Sequence, residues 1–289
     1  MAGRPFSMTT SPYRLLKQYG LRPKKRLGQH FLINPFTAKQ IVDAAGINSD
    51  DVVIEIGAGL GALTIPLSKV AKKVMAIEYD QILAEAFKKE IERAGIKNVD
   101  IWLGDALKFD YYSIAERYGR KIKIVGNLPY YISGPLLFLF LKNRGGLSEI
   151  SIMLQEEVVR RLTAKPGCKD YGILAITFNL FARIKNLLHL SPESFYPVPK
   201  VGSDVIKISW QEGEILSKAE ENGFIHFLKG AFSGRRKTFY NSLKEKIPLP
   251  QERLKAILDD FSVSDLRPEQ ITSLVYLKIY KVFREEFSA

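Results

Sequence analysis

The feature that most constrains the fold is a glycine-rich loop that joins a short apolar run to a helical pattern. Residues 52–56 read Val-Val-Ile-Glu-Ile, and Gly57, Gly59 and Gly61 follow before the helical pattern of residues 62–70. In doubly wound α/β folds such a strand-to-helix turn lets a ligand approach the backbone and the helix N-terminus closely. The loop therefore predicts an α/β sheet that binds a nucleotide-like ligand at its carboxyl edge.

Short β-branched runs alternate with helical stretches over the first two thirds of the chain, which favours a parallel sheet with crossover helices. Strands are predicted at 52–56, 73–77, 99–103, 122–126, 150–154, 184–190 and 205–210, with helices at 35–45, 62–70, 80–94, 133–142, 156–164 and 171–181. The last two strands flank a proline-rich loop and are predicted to join the sheet in the antiparallel sense.

Helical periodicity without a strand-like run follows, at residues 219–232, 235–244, 251–261 and 268–287. We therefore expect a basic N-terminal arm (1–26), an α/β domain (27–212) and a small all-helical domain (213–289).

Positive charge is concentrated near the N-terminus. The formal net charge is +12, and residues 1–40 contain eight Lys or Arg and no acid. Such a segment can be a solvated terminus, a transit peptide or a phosphate-binding arm. Further basic clusters along the chain favour a polyanionic partner. The basic residues singled out as contacts for nucleic acid are Lys24, Lys25, Arg26, Arg235, Arg236 and Lys237.

Several classes of protein are disfavoured by composition. No run approaches the ~20 apolar residues needed to span a bilayer. A lone Cys168 excludes a disulfide framework, and the three histidines lack metal-ligand spacing. We therefore expect no metal site and no membrane segment.

The glycine loop by itself fits two cofactors. Gly57-x-Gly59-x-x-Ala62 satisfies the dinucleotide fingerprint, with Glu78 placed where an acid would hold a ribose. The same loop also matches the Glu-x-Gly-x-Gly-x-Gly pattern of S-adenosylmethionine sites. Glu55 would repel a pyrophosphate but attract a sulfonium or ammonium cation, which favours S-adenosylmethionine.

Two more acids follow predicted strands. Glu78 closes the second strand and Asp105 follows the third. At the carboxyl edge of the sheet, Glu78 would accept the ribose hydroxyls, and Asp105 would accept a hydrogen bond from the adenine amino group. An acid in this place is also a common helix N-cap.

The stretch Asn127-Leu128-Pro129-Tyr130 ends the fourth strand. An Asn side-chain oxygen and the Leu128 carbonyl could both accept hydrogen bonds from an exocyclic amino group, and Tyr130 offers a face for a stacked base. Asn and Pro are also ordinary turn residues.

Taken in order along the chain, these motifs resemble the ribosomal RNA adenine dimethyltransferase family, which forms N6,N6-dimethyladenosine at two adjacent adenosines near the 3′ end of small-subunit rRNA. The resemblance rests on six motifs: Gly28-Gln29-His30-Phe31-Leu32, the 55–61 loop, Glu78 with Asp105, Asn127 to Tyr130, Phe195-x-Pro197-x-Pro199-x-Val201-x-Ser203, and Phe232-x-x-Arg235-Arg236-Lys237. His30 departs from the Asn that many members carry, but it can still form a hydrogen bond.

The resemblance implies a class I methyltransferase sheet, Rossmann-like and of seven strands with the last antiparallel, and an RNA-binding helical domain. It further implies that His30, Leu32, Gly57, Glu78, Asp105 and Asn127 line an S-adenosylmethionine site. With Tyr130, Phe195 would clamp the target adenine, or would instead anchor its loop in the core. The expected partners are small-subunit rRNA and the pre-30S particle, and the expected protein is a cytoplasmic monomer.

Two alternatives remain open. One is the related large-subunit rRNA adenine methylase that confers macrolide resistance, and the other is a non-catalytic RNA-binding assembly or transcription factor. The Phe232 to Lys237 motif favours the small-subunit enzyme, and the intact Asn127 to Tyr130 stretch favours catalysis.

Overall fold

A computed structural model describes residues 11–234 and 236–288 of the chain. The strands in these residues are β1 (Phe31–Leu32), β2 (Val52–Ile56), β3 (Lys73–Glu78), β4 (Val99–Leu103), β5 (Ile122–Asn127), β6 (Leu147–Gln155), β7 (Ala182–Leu190), β8 (Phe195–Tyr196) and β9 (Ser203–Trp210). The α-helices are α1 (Pro12–Gln18), α2 (Pro35–Ala45), α3 (Thr64–Ser68), α4 (Gln81–Arg93), α5 (Tyr111–Tyr118), α6 (Ser133–Lys142), α7 (Glu156–Leu162), α8 (Ile173–Phe181), α9 (Lys218–Ala231), α10 (Phe239–Leu243), α11 (Gln251–Asp260) and α12 (Ser273–Ser288).

Seven strands form one sheet, in the order β4-β3-β2-β5-β6-β9-β7. The five strands from β4 to β6 are parallel, and β9 is antiparallel to β6, with Met153 opposite Val205. All five residues of β2 are buried, as expected for a central parallel strand covered on both faces. The predicted Rossmann-like methyltransferase sheet is therefore confirmed.

The predicted strands are all present, and their ends are shifted by no more than three residues. Helices predicted to begin at 235 and 268 begin at 239 and 273. The Thr238 side chain accepts a hydrogen bond from Asn241 N–H and so sets the start of α10. Pro268–Gln270 forms a separate 3₁₀ turn before α12.

The described residues separate into two units. The first contains the residues up to Val158 together with Ile184–Trp210, and the second contains Val159–Arg183 and the chain from Gln211 onward. The predicted start of the helical region near 213 agrees with this division, but residues 159–183 also belong to the helical unit. The reason is that α8 is largely apolar and contacts α9 and α12 of that unit.

Aromatic rings cluster around Phe227 in the second unit. Phe227 lies within 6.4 Å of five of them, measured between ring centroids. Its neighbours are Phe224, Phe239, Tyr276, Tyr280 and Phe283.

The N-terminal segment differs from the predicted arm. Residues 12–18 form α1, and Leu15 and Leu16 are buried against a cluster of the first unit that includes Phe31, Leu60 and Leu83. Residues 11–26 therefore belong to the folded unit. Residues 1–10 lie outside the described part of the chain.

No helix between residues 11 and 288 is long and apolar enough to cross a membrane. Within the same part of the chain, no group of His, Cys, Asp or Glu side chains is arranged to hold a metal ion.

Candidate functional site

Four neighbouring parallel strands end beside one cavity. The order β4-β3-β2-β5 brings together Asp105, Glu78, the glycine loop and Asn127, because the carboxyl ends of parallel strands share an edge. The predicted residues that line this cavity are His30, Leu32, Glu55, Gly57, Gly59, Glu78, Asp105, Asn127, Leu128, Pro129 and Tyr130.

The glycine loop requires residues without side chains. Gly57 has φ +77°, and a Cβ at this position would lie 2.9 Å from the backbone oxygen of Asn127. The Gly59 N–H donates to Glu78 Oε2 at 2.8 Å. The loop is therefore packed against the ends of both neighbouring strands, β3 and β5.

Glu78 is buried and held by two backbone donors. Its Oε1 accepts a hydrogen bond from the Asp80 N–H at 2.8 Å, and its Oε2 accepts from Gly59. Burial raises the pKa of Glu78, and these two hydrogen bonds oppose that shift. Because each carboxylate oxygen can accept more than one hydrogen bond, Glu78 remains able to accept ribose hydroxyls.

Asp105 serves as the cap of a short 3₁₀ turn. Its Oδ1 accepts a hydrogen bond from the Leu107 N–H at 2.9 Å. Asp105 thus has the N-cap role that its sequence context also allowed, while it lines the cavity.

Glu55 differs from the charged group assumed from sequence. It is 1% exposed, and its Oε2 has no hydrogen-bond partner among the described residues. Burial raises the pKa of Glu55 to about 8, with the neighbouring Glu78 adding to the shift. Without a cationic ligand, Glu55 is therefore mostly protonated at neutral pH.

This shift predicts how stability depends on pH. Between the ordinary pKa of 4.5 and about 8, the folded protein holds a proton at Glu55 that the unfolded chain releases. Stability must therefore fall as pH rises through this window. We expect Glu55→Gln to remove a fall on the order of 3–5 kcal/mol between pH 5 and pH 8.5, measured by urea unfolding. Equal pH slopes for wild type and variant would contradict this result.

The Asn127 amide is oriented by a backbone carbonyl. Its Nδ2 donates to the carbonyl of His30 at 2.9 Å, which leaves Oδ1 to accept a hydrogen bond. No backbone hydrogen bond from the described residues ends on the Leu128 carbonyl. Two potential acceptors thus belong to adjacent residues that line the cavity at the end of β5.

Tyr130 stacks on His30. Their ring centroids lie 5.4 Å apart with an interplanar angle of 27°. His30 Nδ1 donates to the Pro197 carbonyl at 2.6 Å, and the Tyr130 hydroxyl lies 3.4 Å from Ser203 Oγ. The side chain of His30 therefore supports the Tyr130 ring as well as lining the cavity.

Phe195 does not take the clamping role considered from sequence. It is 1% exposed, pairs with Leu32 across β1 and β8, and packs in the core with Leu190 and Val205. A base cannot stack on a ring that the core covers on both faces, so the alternative role of loop anchor describes Phe195 correctly.

The basic residues predicted to contact RNA differ in their exposure and in their protein partners. Lys25 and Arg26 are exposed, whereas Lys24 Nζ lies 2.7 Å from Asp80 Oδ2. Arg236 and Lys237 of the second unit are exposed, and Arg235 lies outside the described residues. RNA contact stays a prediction for these residues, and Lys24 has a protein partner.

The lining residues to which the sequence assigned no role include Leu15, Gln29, Tyr79 and Tyr131. Gln29 precedes His30 and Tyr131 follows Tyr130. Because both neighbours had assigned roles, the sequence could have indicated these two residues as well. Leu15 carried no such signal, because α1 reaches the cavity only through tertiary packing.

Known proteins resemble this chain over most of its length. A family model described as Ribosomal RNA adenine dimethylase matches residues 20–279. A Desulfotalea psychrophila protein named Ribosomal RNA small subunit methyltransferase A is 38% identical over 284 residues, covering 94% of this chain and 95% of the relative. A Magnetococcus marinus protein of the same name is 40% identical over 241 residues, covering 83% and 86%.

Solved structures show the same fold. A dimethyladenosine transferase from Plasmodium falciparum aligns with a TM-score of 0.76 at 28% identity, covering 89% of this chain and 98% of that chain. The 23S rRNA methyltransferase ErmE aligns with a TM-score of 0.63 at 24% identity, covering 87% and 99%, and supports the fold alone. The chain belongs to the ribosomal RNA adenine dimethylase family.

Proposed function

We propose that this chain transfers methyl groups from S-adenosylmethionine to the N6 atoms of two adjacent adenosines near the 3′ end of small-subunit rRNA. The observation that carries the proposal is the Asn127 amide, whose nitrogen is engaged by His30 and whose oxygen is free to accept the amino group of a base. The names of the small-subunit relatives support rRNA as the substrate.

The cavity suits S-adenosylmethionine for three reasons. The partnerless Glu55 oxygen matches a cationic ligand, the glycine loop admits close approach to the backbone, and Glu78 has acceptor capacity for a ribose. The cofactor supplies an activated methyl group on a sulfonium. A pyrophosphate would instead bring negative charge toward buried acids.

The protein's part in the chemistry is to hold the amine. Adenine N6 is a weak nucleophile because its lone pair is delocalised into the ring. Acceptors at Asn127 Oδ1 and the Leu128 carbonyl would hold the two amino hydrogens and favour a pyramidal nitrogen. The same acceptors stabilise the positive charge that develops on N6, so a strong base is not required.

Tyr130 would stack on the extruded adenine, with His30 supporting its other face. A second transfer requires the monomethylated amine to turn and bind again beside the same acceptors.

The proposal can be tested with labelled S-adenosylmethionine and unmethylated ribosomal subunits. We expect label in small-subunit rRNA, at two adjacent adenosines that carry two methyl groups each. Large subunits from the same cells serve as the control. Label only in the large subunit would favour the macrolide-resistance type, and no label with protein that binds the rRNA would favour a non-catalytic assembly factor. The corresponding partner is a pre-30S particle in the cytoplasm, bound by a monomer.

A further inference from the structure

A basic turn of the N-terminal segment is attached to Asp80, two residues after the predicted ribose-binding acid Glu78. Lys24 Nζ lies 2.7 Å from Asp80 Oδ2, and Gln29 Nε2 donates to the same oxygen at 3.0 Å. The Lys24 N–H in turn donates to Gln29 Oε1 at 2.8 Å. The two side-chain contacts to Asp80 and the backbone N–H of Lys24 thus join these three residues in a closed cluster.

The cluster is connected to the glycine loop through Glu78. The Asp80 N–H donates to Glu78 Oε1, and Glu78 Oε2 accepts from the Gly59 N–H, each at 2.8 Å. Asp80 Oδ1 also accepts from the Ile82 N–H at 3.2 Å and caps α4. Asp80 is therefore linked through hydrogen bonds to the acid and the loop that line the cavity.

The positive charge of Lys24 lies beside a buried acid. The side chain of Asp80 is 3% exposed, and the Asp80 and Glu78 carboxyl groups repel each other when both are ionised. Although burial raises the pKa of Asp80, the hydrogen bonds from Lys24 and Gln29 outweigh burial and hold this pKa below its ordinary value. Without Lys24, two buried acids would face each other with less compensation.

A second attachment fixes the same segment at the other end of α4. The Tyr19 hydroxyl donates to Glu90, and Arg93 donates to the Tyr19 hydroxyl at 2.9 Å. Directly before Tyr19, α1 places Leu15 in the cavity wall. The N-terminal segment is therefore bound along α4 as part of the wall.

We propose that Lys24 is a positioning residue for the S-adenosylmethionine site: through Asp80 it orients Glu78 and the glycine loop, while the adjacent Lys25 and Arg26 face solvent and bind phosphate. This inference rests on the proposed function, because it takes S-adenosylmethionine as the ligand of the cavity.

The test compares Lys24→Ala, Lys24→Arg and Lys25→Ala in the full chain, with two readouts. Calorimetry with S-adenosylmethionine alone measures cofactor affinity without RNA. Affinity for small-subunit rRNA at several salt concentrations measures phosphate contacts. We expect Lys24→Ala to weaken cofactor affinity by about tenfold or more, as loss of a supporting contact to a ligand-binding residue typically does, and Lys24→Arg to restore most of it.

Lys25→Ala should behave in the opposite way, with cofactor affinity unchanged and a salt slope lower by about 1. If Lys24→Ala keeps wild-type cofactor affinity and lowers the salt slope instead, Lys24 is a phosphate contact and the inference is overturned. If wild-type protein itself binds no S-adenosylmethionine, the proposed function is the statement that fails.

Circular dichroism shows whether Lys24→Ala folds normally. If it does not, the test uses a second comparison, made in the Asp80→Asn background. Removing the Asp80 charge makes Lys24 dispensable, so Lys24→Ala combined with Asp80→Asn should bind the cofactor no more weakly than Asp80→Asn alone. Independent, additive losses would contradict a shared action through Asp80.

Discussion

Replacing Asn127 by alanine is expected to lower the rate of methyl transfer by about 10²–10³-fold, the usual effect of removing one group that stabilises charge in a transition state. In the proposed mechanism Asn127 Oδ1 accepts a hydrogen bond from the reacting amine, while the His30 carbonyl holds the amide nitrogen. The loss should therefore appear in the single-turnover rate, with rRNA affinity nearly unchanged.

Asn143→Ala is a matched control for this variant. The Asn143 side chain also donates to a backbone carbonyl, that of Leu139 at 2.9 Å, but at the end of α6 and away from the cavity. We expect normal transfer rates from Asn143→Ala. An equal loss of rRNA affinity and of rate in Asn127→Ala would contradict a role at the reacting amine.

The second large effect is expected from Gly57→Ala. A Cβ at Gly57 would lie 2.9 Å from the Asn127 carbonyl oxygen, so either the loop or the end of β5 must shift. Because small misplacements of reacting groups cost about 10²-fold in rate, we expect a loss of that order together with weaker S-adenosylmethionine affinity.

Gly95→Ala is a control that introduces backbone strain without a steric collision. Gly95 has φ +67°, close to the +77° of Gly57, but a Cβ there meets nothing within 4 Å. Gly95→Ala should cost about 1–2 kcal/mol of stability and leave cofactor affinity unchanged. Thermal unfolding, cofactor calorimetry and transfer rates are measured for both variants. Comparable cofactor affinities would show that strain, and not the contact with Asn127, limits substitution at Gly57.

The parts of the fold that were predictable are those with a local physical signal. Buried parallel strands require continuous apolar residues, which is why the fully buried β2 was predicted with its observed ends. Helix α5 was missed although Asp110 caps it, because its eight residues lie between two strands without a long apolar periodicity. The β1–β8 pair has two residues per strand and no period to read.

The site likewise contains residues that could be predicted from the sequence and properties that could not. Glycines and acids at strand ends could be assigned to one edge of the sheet from their order in the chain, since parallel strands present their carboxyl ends together. The burial of Phe195, the ion pair of Lys24 and the protonation of Glu55 depend on what packs against each side chain. Decisive neighbours, such as Asp80 for Lys24 and Leu32 for Phe195, are distant in sequence.

The amino-acid sequence by itself therefore determined the α/β sheet, the cavity at its carboxyl edge and the residues after four of its strands, because each follows from local patterns and one rule of sheet geometry. Only the tertiary structure decided which charged groups are paired, which are neutral and which rings are covered. Those properties depend on burial and on partners such as Asp80 for Lys24, 56 residues away along the chain.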